Sequence, residues 1–336
     1  MKFLYFAILW LCCLEMAHPL LANTLPTFTL CTWNIEHLAA HHEAGCRPRK
    51  NADYHALQKF IADLKADIIA FQEVENHTAA RRVFKASEYH IEISRRPDIE
   101  LGRCWEGRQS RRMQRTGFAI RKDLKAKHGI IYRRRPDVHS LAIGPYERWG
   151  VHIELISSAA PGTTVHLLCV HLKSGCSYSD PEYRGDDSPC SRLAEQVPRL
   201  EAWMDARAAA GEEFIVLGDV NRQLDGLGDP VWEAWDDSEC CTWEQPATGL
   251  WYCRKGSERF NPIADLERAR SGRKHPFPHN PKYPFAIDHI IMSAGADRMA
   301  IEISAQFIRD RRKLSDHMPL VMKVRWEKED RHQKTY

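Results

Sequence analysis

Short runs of apolar and β-branched residues recur along the chain: FTLCTWN, DIIAFQEV, TGFAIR, GVHIELI, TVHLLCVHL, FIVLGDV, AIDHIIM, IEISAQFI and LVMKVRW. Runs of this length, bounded by polar or Gly- and Pro-containing stretches, predict strands. Between them the period changes. Leu57, Phe60, Ile61 and Leu64 fall at i, i+3, i+4 and i+7, the stripe of an amphipathic helix. Leu193, Leu200, Trp203 and Met204 make a second stripe, with Pro198 expected at a kink or in a first turn. Many strands and few helices predict two packed sheets with helices outside. No repeat or low-complexity linker divides the chain, so one domain is expected over 23–336. Segments 173–192 and 222–285 read as long loops, and loops of that length in a compact domain usually shape a site.

The first residues follow a different pattern. Lys2 precedes an unbroken apolar run from Phe3 to Leu14, which Glu15 ends. About 20 residues are needed to span a bilayer, so the run is too short for that and fits the core of a secretory signal, with cleavage expected after Ala22. No later segment is long and apolar enough to cross a membrane, so no stable membrane insertion is expected. The protein is expected to be exported, to a periplasm or out of the cell, and to be monomeric.

Export changes the reading of the cysteines. Cys31 and Cys169 lie inside strand-like runs and read as buried thiols. Cys176 and Cys190 lie in a polar stretch, where an oxidising compartment would pair them. Cys46 with Cys104, and Cys253 with Cys240 or Cys241, are further pairings the pattern permits. A cysteine metal cluster has no CxxC pair to build on.

The chain of 336 residues carries a net charge of only +3, so overall charge does not announce a nucleic-acid binder. Its distribution says more. Arg111, Arg112 and Arg115, the run Arg133–Arg135, and the stretch Arg311, Arg312 and Lys313 are candidates for phosphate contacts if they line a cleft, and otherwise are solvated surface.

Chemistry-bearing residues sit at the ends of the strand-like runs. They are Asn34 in CTWNIEHL, Glu73 in IAFQEV, His171 in CVHLKSG, Asp219 and Asn221 in VLGDVN, Asp288 in AIDHII, and Asp316 with His317 in SDHMPLV. Asp219 and Asn221 are two apart and are expected to face the same way on a strand. Glu73 offers a hard oxygen ligand suited to Mg²⁺. Neutral Asn34 and Asn221 orient a ligand or bond a phosphate oxygen without repelling it. A histidine moves a proton near neutral pH, and a neighbouring carboxylate stabilises its imidazolium. Taken singly, NIE or QEV reads as polar surface, GDVN as a turn and SDH as a helix cap. Together, at successive strand ends, they describe the floor of a cleft.

As a set, TWNIEHL, FQEV, TGFAIRKDL, VHLKS, GDVNRQ, IDHIIM and SDHMPL resemble the endonuclease/exonuclease/phosphatase superfamily, the group of pancreatic deoxyribonuclease and the abasic-site endonucleases. The resemblance runs from about Thr29 to Arg325. It implies an α/β fold, a four-layer α/β/β/α sandwich. It implies that Glu73 is the metal carboxylate with Asn34 beside it, and that Asp316 is a second metal-side carboxylate. Asp219 and Asn221 then orient the nucleophile and the scissile phosphate. His317 is the catalytic histidine, Asp288 supports it, and His171 touches the phosphate or the leaving oxygen. Arg148 in ERWGVHI falls where the family can place a phosphate-contacting arginine. The family's usual tyrosine in the middle region has no counterpart here, and the 222–285 insert is longer than the core pattern requires.

The activity implied is hydrolysis of a phosphodiester in DNA, or in RNA, by an activated water, with Mg²⁺ as cofactor and Mn²⁺ as a substitute. His317 removes the water's proton in one form and Asp219 does so in another; the sequence does not choose between them. Two other readings stay open: a secreted phosphodiesterase or phosphatase acting on lipid head groups, and a non-catalytic binding protein on the same fold. The basic clusters favour nucleic acid over lipid, and the complete residue set argues against loss of catalysis.

Overall fold

The computed structural model describes residues 25–104, 109–178, 188–224, 229–236, 241–244, 252–255, 266–268, 286–306, 308 and 314–326. The expected signal segment 1–22, most of the 222–285 insert, residues 311–313 and the pairing of Cys253 with Cys240 or Cys241 lie outside what the structure describes. The chain runs β1 (Thr27–Leu38), α1 (Asn51–Leu64), β2 (Ile68–Val74), α2 (His77–Val83), β3 (Tyr89–Ile93), β4 (Glu100–Arg103), β5 (Ser110–Arg112) and β6 (Arg115–Arg121). There follow α3 (Leu124–His128), β7 (Ile130–Arg134), a 3₁₀ turn (His139–Leu141), β8 (Val151–Ser157), β9 (Thr164–His171), α4 (Pro189–Ala209), β10 (Glu213–Asp219) and α5 (Pro230–Trp235). The last elements are β11 (Cys241–Glu244), β12 (Tyr252–Lys255), β13 (Leu266–Arg268), β14 (Asp288–Ser293), α6 (Ala294–Met299), β15 (Ala300–Ala305) and β16 (Leu320–Arg325).

Two six-stranded sheets carry the fold. One has the order β15-β16-β1-β2-β6-β3 and the other β13-β14-β10-β9-β8-β7. Alternation along each strand decides what they bury. In β1, Phe28 and Leu30 face the other sheet, whereas Cys31, Trp33 and Ile35 pack under α1 and α2. In β10, Ile215 and Leu217 join the central core, and Phe214 and Val216 pack under α4 and α5. Helices therefore cover the outer face of each sheet, giving the α/β/β/α order of four layers. Each fully buried Leu, Ile or Phe contributes roughly 1.5–3 kcal/mol through removal of apolar area from water, so the three apolar layers dominate the stability.

The structure departs from the apolar pattern in places. Strands β3 (YHIEI) and β7 (IIYRR) each lie at one edge of a sheet, opposite β15 and β13. Half-exposed and charge-bearing, they lack the apolar run that marks an interior strand. The loop expected over 173–192 ends earlier, because Ser188 caps α4 by accepting the Ser191 N–H at 3.0 Å and Pro189 starts the helix. Pro198 lies inside that helix. Gly218 is required by close packing: with φ at 149°, a Cβ there would come within 2.0 Å of the Val170 carbonyl oxygen.

Disulfides join Cys46 to Cys104 and Cys176 to Cys190, and Cys31 and Cys169 are buried free thiols. No helix among the described residues is long and apolar enough to cross a membrane.

Candidate active site

The alternation that builds the central core also aims the polar residues. Phe28 and Leu30 in β1 are followed on the same face by Thr32 and Asn34. Leu167 and Cys169 in β9 lead to His171, and Ile215 and Leu217 in β10 lead to Asp219. Met292 and Ile290 in β14, read backwards, lead to Asp288. All four face the gap between the sheets at the rim where the apolar layer stops. The register agrees: Asp219 pairs with His171 on one side and with Asp288 on the other. A polar floor lies beneath them, where Gln72 Nε2 donates to Thr32 Oγ1 at 3.1 Å.

Glu73 reaches the same rim by a different route. Strict alternation after Ala70 and Gln72 would turn it toward the helices. Instead the register of β2 against β6 shifts between Phe71 and Val74, and Glu73 takes φ of 61°. A bulge of this kind re-aims a side chain. Its Oε2 accepts the His37 N–H at 3.0 Å and Gln114 Nε2 at 3.1 Å. Gln114 Oε1 in turn accepts Arg148 Nη2 at 2.8 Å.

The carboxylates and imidazoles then interlock. Asn34 Nδ2 donates to Asp219 Oδ2 at 2.9 Å, and the Asn221 backbone N–H donates to Asp219 Oδ1 at 2.9 Å. His171 Nε2 stands 3.5 Å from Asp219 Oδ2 and 3.8 Å from Glu73 Oε1. His317 Nδ1 lies 2.6 Å from Asp288 Oδ2, and its Nε2 faces Asp219 Oδ2 at 3.9 Å. The loop bearing His317 is held from β1: Trp33 Nε1 donates to the His317 carbonyl at 3.0 Å, and Ser315 Oγ donates to the Asn34 carbonyl at 2.7 Å. The buried Arg49 guanidinium adds a clamp, donating to the Ile35 carbonyl at 2.9 Å and to the Leu314 carbonyl at 2.7 Å.

Charge is distributed unevenly across this cluster. Burial pushes the Asp219 carboxyl up to about 7; His317 and the Asn34 hydrogen bond oppose the rise, and Asp288 and Glu73 add to it. Burial alone would deprotonate His317, but Asp288 and Asp219 hold it protonated, well above the ordinary histidine range. His171 goes the other way: burial and the nearby Arg148 keep it neutral. Burial also works against ionised Glu73, yet His37, His171, Arg148 and His317 overcome it and hold the carboxyl at about 2. An anionic Glu73, with the Asn34 amide oxygen and the half-exposed Asp316 carboxylate, offers hard-oxygen donors that fit a divalent cation. Ligand atoms of Asp219, Asp288 and His317 also lie within 4.8 Å of one another.

Of the residues singled out in sequence, Asn34, Glu73, His171, Asp219, Asn221, Asp288, Asp316, His317 and Arg148 come together here. Asn221 does so for another reason than strand alternation. Strand β10 ends at Asp219, and Asn221 turns back with φ of 56°, its side-chain amide donating to the Leu172 carbonyl at 3.2 Å. The three basic residues of the SRRMQR stretch separate. Arg111 faces the site closely enough to act on His37 and Arg148. Arg112 is paired with Asp98, and Arg115 is buried, donating to the Glu75 and Arg96 carbonyls. Arg115 is thereby turned away from the cleft, whereas exposed Arg112 lines a small cavity with His37, Glu73 and Gln114. Sequence reasoning passed over Gln114, His37, Arg49 and Glu36, whose Oε2 accepts the Asp316 N–H at 3.2 Å. Their signal is proximity alone: Glu36 and His37 belong to the TWNIEHL motif, and Gln114 stands just before β6.

The sequence pattern of the endonuclease/exonuclease/phosphatase family matches residues 31–317. Among solved structures, truncated TDP2 from Caenorhabditis elegans aligns with a TM-score of 0.51 at 16% identity, over 89% of this chain and 98% of that one. The selenomethionine-substituted TDP2 of the same organism gives 0.54 at 16% identity, over 89% and 74% of the two chains. A humanised D. rerio TDP2 carrying 14 mutations gives 0.51 at 13% identity, over 89% and 99%. At these identities the likeness is one of fold. No curated protein matches the chain by sequence.

Proposed function

This chain belongs to the endonuclease/exonuclease/phosphatase family, and on that premise we propose that it is an exported, metal-dependent nuclease hydrolysing phosphodiester bonds of DNA. The observation that carries this reading is the meeting of Glu73, Asn34, His171, Asp219 and the Asp288–His317 pair at one rim between the sheets. A Mg²⁺ ion, or Mn²⁺ in its place, held by Glu73 with Asn34 and Asp316 would take up charge on the phosphoryl oxygens.

The chain's own groups divide the remaining work. Asp219 accepts the proton of the attacking water, with Asn34 and the Asn221 N–H fixing its two oxygens. His317, kept cationic by Asp288, faces that carboxylate and supplies positive charge to the phosphate. This charge state favours Asp219 over His317 as the base. His171 is neutral and donates a hydrogen bond from Nε2 toward the leaving side. Arg148 and Arg111 contact the phosphate. The nitrogen donors and the buried acids together make a site for an anionic diester, with the charge it needs fixed before the substrate arrives.

The disulfides support an oxidising compartment, in line with a signal segment over 1–22 and a single, monomeric mature domain over 23–336. A plasmid-nicking assay on the mature protein, with and without Mg²⁺, tests the proposal. Nicking that depends on Mg²⁺ is expected. Inert behaviour toward DNA and RNA, beside ready hydrolysis of sphingomyelin or an inositol phospholipid, would replace nucleic acid with a lipid head group as substrate.

A further inference from the structure

A cavity of about 510 Å³ is lined by Arg95, Arg134, Arg135, Asp137, His139 and Trp149. Its walls come from the chain at the ends of edge strands β3 and β7. Ile93 of β3 pairs with Gly117, and Arg134 of β7 pairs with Ile153, so both strands finish at the end of the sandwich that carries the site. Arg95 follows β3, and Arg134 and Arg135 close β7. The cavity is tied to the catalytic cluster through the chain: Trp149 lines it, and the neighbouring Arg148 bonds Gln114, which bonds Glu73.

Two kinds of group meet there. One is an aromatic stack. The His139 and Trp149 rings lie with centroids 3.9 Å apart at 29°, and His139 is exposed on the outside of the pair. The Arg96 guanidinium lies 5.6 Å from the Trp149 ring, within cation–π reach. The other is positive charge. Asp137 is already engaged by Arg134 and by the Arg95 N–H, whereas the Arg95 guanidinium is exposed and makes no hydrogen bond or ion pair with any described residue. Arg135 reaches Glu154 only at 3.7 Å and is half exposed.

A flat ring with guanidinium groups beside it meets both halves of one nucleotide, the base by stacking and the phosphate by charge. A lipid head group would use the charge and leave the rings without a partner. We propose that this cavity is a nucleotide subsite in which a base of a single-stranded segment next to the cleaved phosphate extends the His139–Trp149 stack, while Arg95 and Arg135 hold its phosphate. The inference rests on the nuclease reading and adds to it a preference for unpaired strand.

The test uses binding of the mature protein in chelator, where no strand is cut. The probes are a fluorescent twelve-residue oligothymidylate and an abasic strand of the same length, which has the phosphates and no bases. Base–aromatic stacking predicts that the wild type prefers the base-bearing strand by roughly 5- to 150-fold. His139→Ala should bring that ratio close to one, and His139→Phe, which restores a flat ring, should keep most of it. Arg95→Ala should weaken both strands alike and lower the salt slope by roughly 0.7 for each phosphate it no longer neutralises. A wild-type ratio near one, or an unchanged ratio in His139→Ala, would overturn the subsite. The catalytic reading is judged separately on Mg²⁺-dependent plasmid nicking. Nicking without base preference removes only the subsite, and base preference without cleavage of any nucleic acid removes only the nuclease.

Discussion

Asn34 Nδ2 and Asp219 Oδ2 lie 2.9 Å apart, and the hydrogen bond between them crosses from one sheet to the other at the catalytic rim. Asp219 is buried, its carboxyl pushed up to about 7, and this hydrogen bond is one of the forces holding it down. Only ionised Asp219 can accept a proton, so kcat/KM should climb about tenfold per pH unit on the acid side of this value and flatten above it. A cation at Glu73 favours the ionised form and moves that limb to lower pH. Asn34→Ala should move it to higher pH. Profiles measured at saturating Mg²⁺ decide the point, and a flat profile across the acid range would place the proton on another group.

The histidines should be separable from the fold. His171→Ala and His317→Ala each remove a group near the reacting phosphate, and a loss of about 10²–10⁴-fold in kcat is expected of each. Asp288→Asn should follow His317, because the imidazolium loses the carboxylate 2.6 Å away. Unchanged circular dichroism beside these losses separates chemistry from unfolding. Near-normal turnover in either histidine variant would end its assigned role.

Glu73 is held ionised at about 2 by the cations and imidazoles around it, so its charge is present across the neutral range. Calorimetric titration with Mg²⁺ should show binding to the wild type, and Glu73→Gln should weaken it by tenfold or more, since the ion then loses its full negative partner. Chelation should abolish activity, and Mn²⁺ as well as Mg²⁺ should restore it. Full activity in excess chelator is the contrary result.

The disulfides should matter in proportion to the loops they close. In the chain-entropy account, opening the Cys176–Cys190 loop costs about 3 kcal/mol and opening the longer Cys46–Cys104 loop about 4 kcal/mol. Denaturant melts of the paired serine variants measure this. A non-reducing peptide map finding Cys176 and Cys190 as free thiols would remove the first bond.

Away from the site, His152 Nε2 and His166 Nδ1 lie 2.9 Å apart under α4, both buried. Burial pushes both rings down, His152 to about 3 with His166 adding to the fall, while Glu212 opposes it at His166. Because these folded values lie below the unfolded ones, the unfolded chain binds more protons as the medium turns acid. The stabilisation is complete above the ordinary histidine value of 6.5 and is lost as pH falls toward about 3. Melting temperatures should drop through that window, and His152→Gln should flatten the drop.

Much of the site was legible because strand parity is legible. Asn34, His171, Asp219 and Asp288 fall in step with the apolar residues before or after them, so the face that builds the core also presents the chemistry. Glu73 breaks that parity, because a bulge is set by local backbone geometry that no apolar period records. Alternation predicts the position of Asn221, but the residue arrives by a left-handed turn. The edge strands β3 and β7 carry charges where interior strands carry Val and Ile, so their period was hidden. Arg115 shows the limit of reading charge runs: one position in such a run can point inward and bind carbonyls, and composition does not say which.

The left-handed backbone at Glu73 has a thermodynamic corollary. A side chain at φ of 61° costs on the order of 1 kcal/mol relative to glycine. The ionised carboxylate more than offsets that cost at neutral pH, because its value is depressed from 4.5 to about 2 in the folded protein and it accepts the His37 N–H and Gln114 Nε2. Glu73→Gly should therefore melt at a lower temperature at neutral pH, and the difference should narrow as pH falls from 4.5 toward 2. The same negative charge thus serves both the fold and the chemistry, and acid that titrates this one carboxyl should weaken resilience and turnover together.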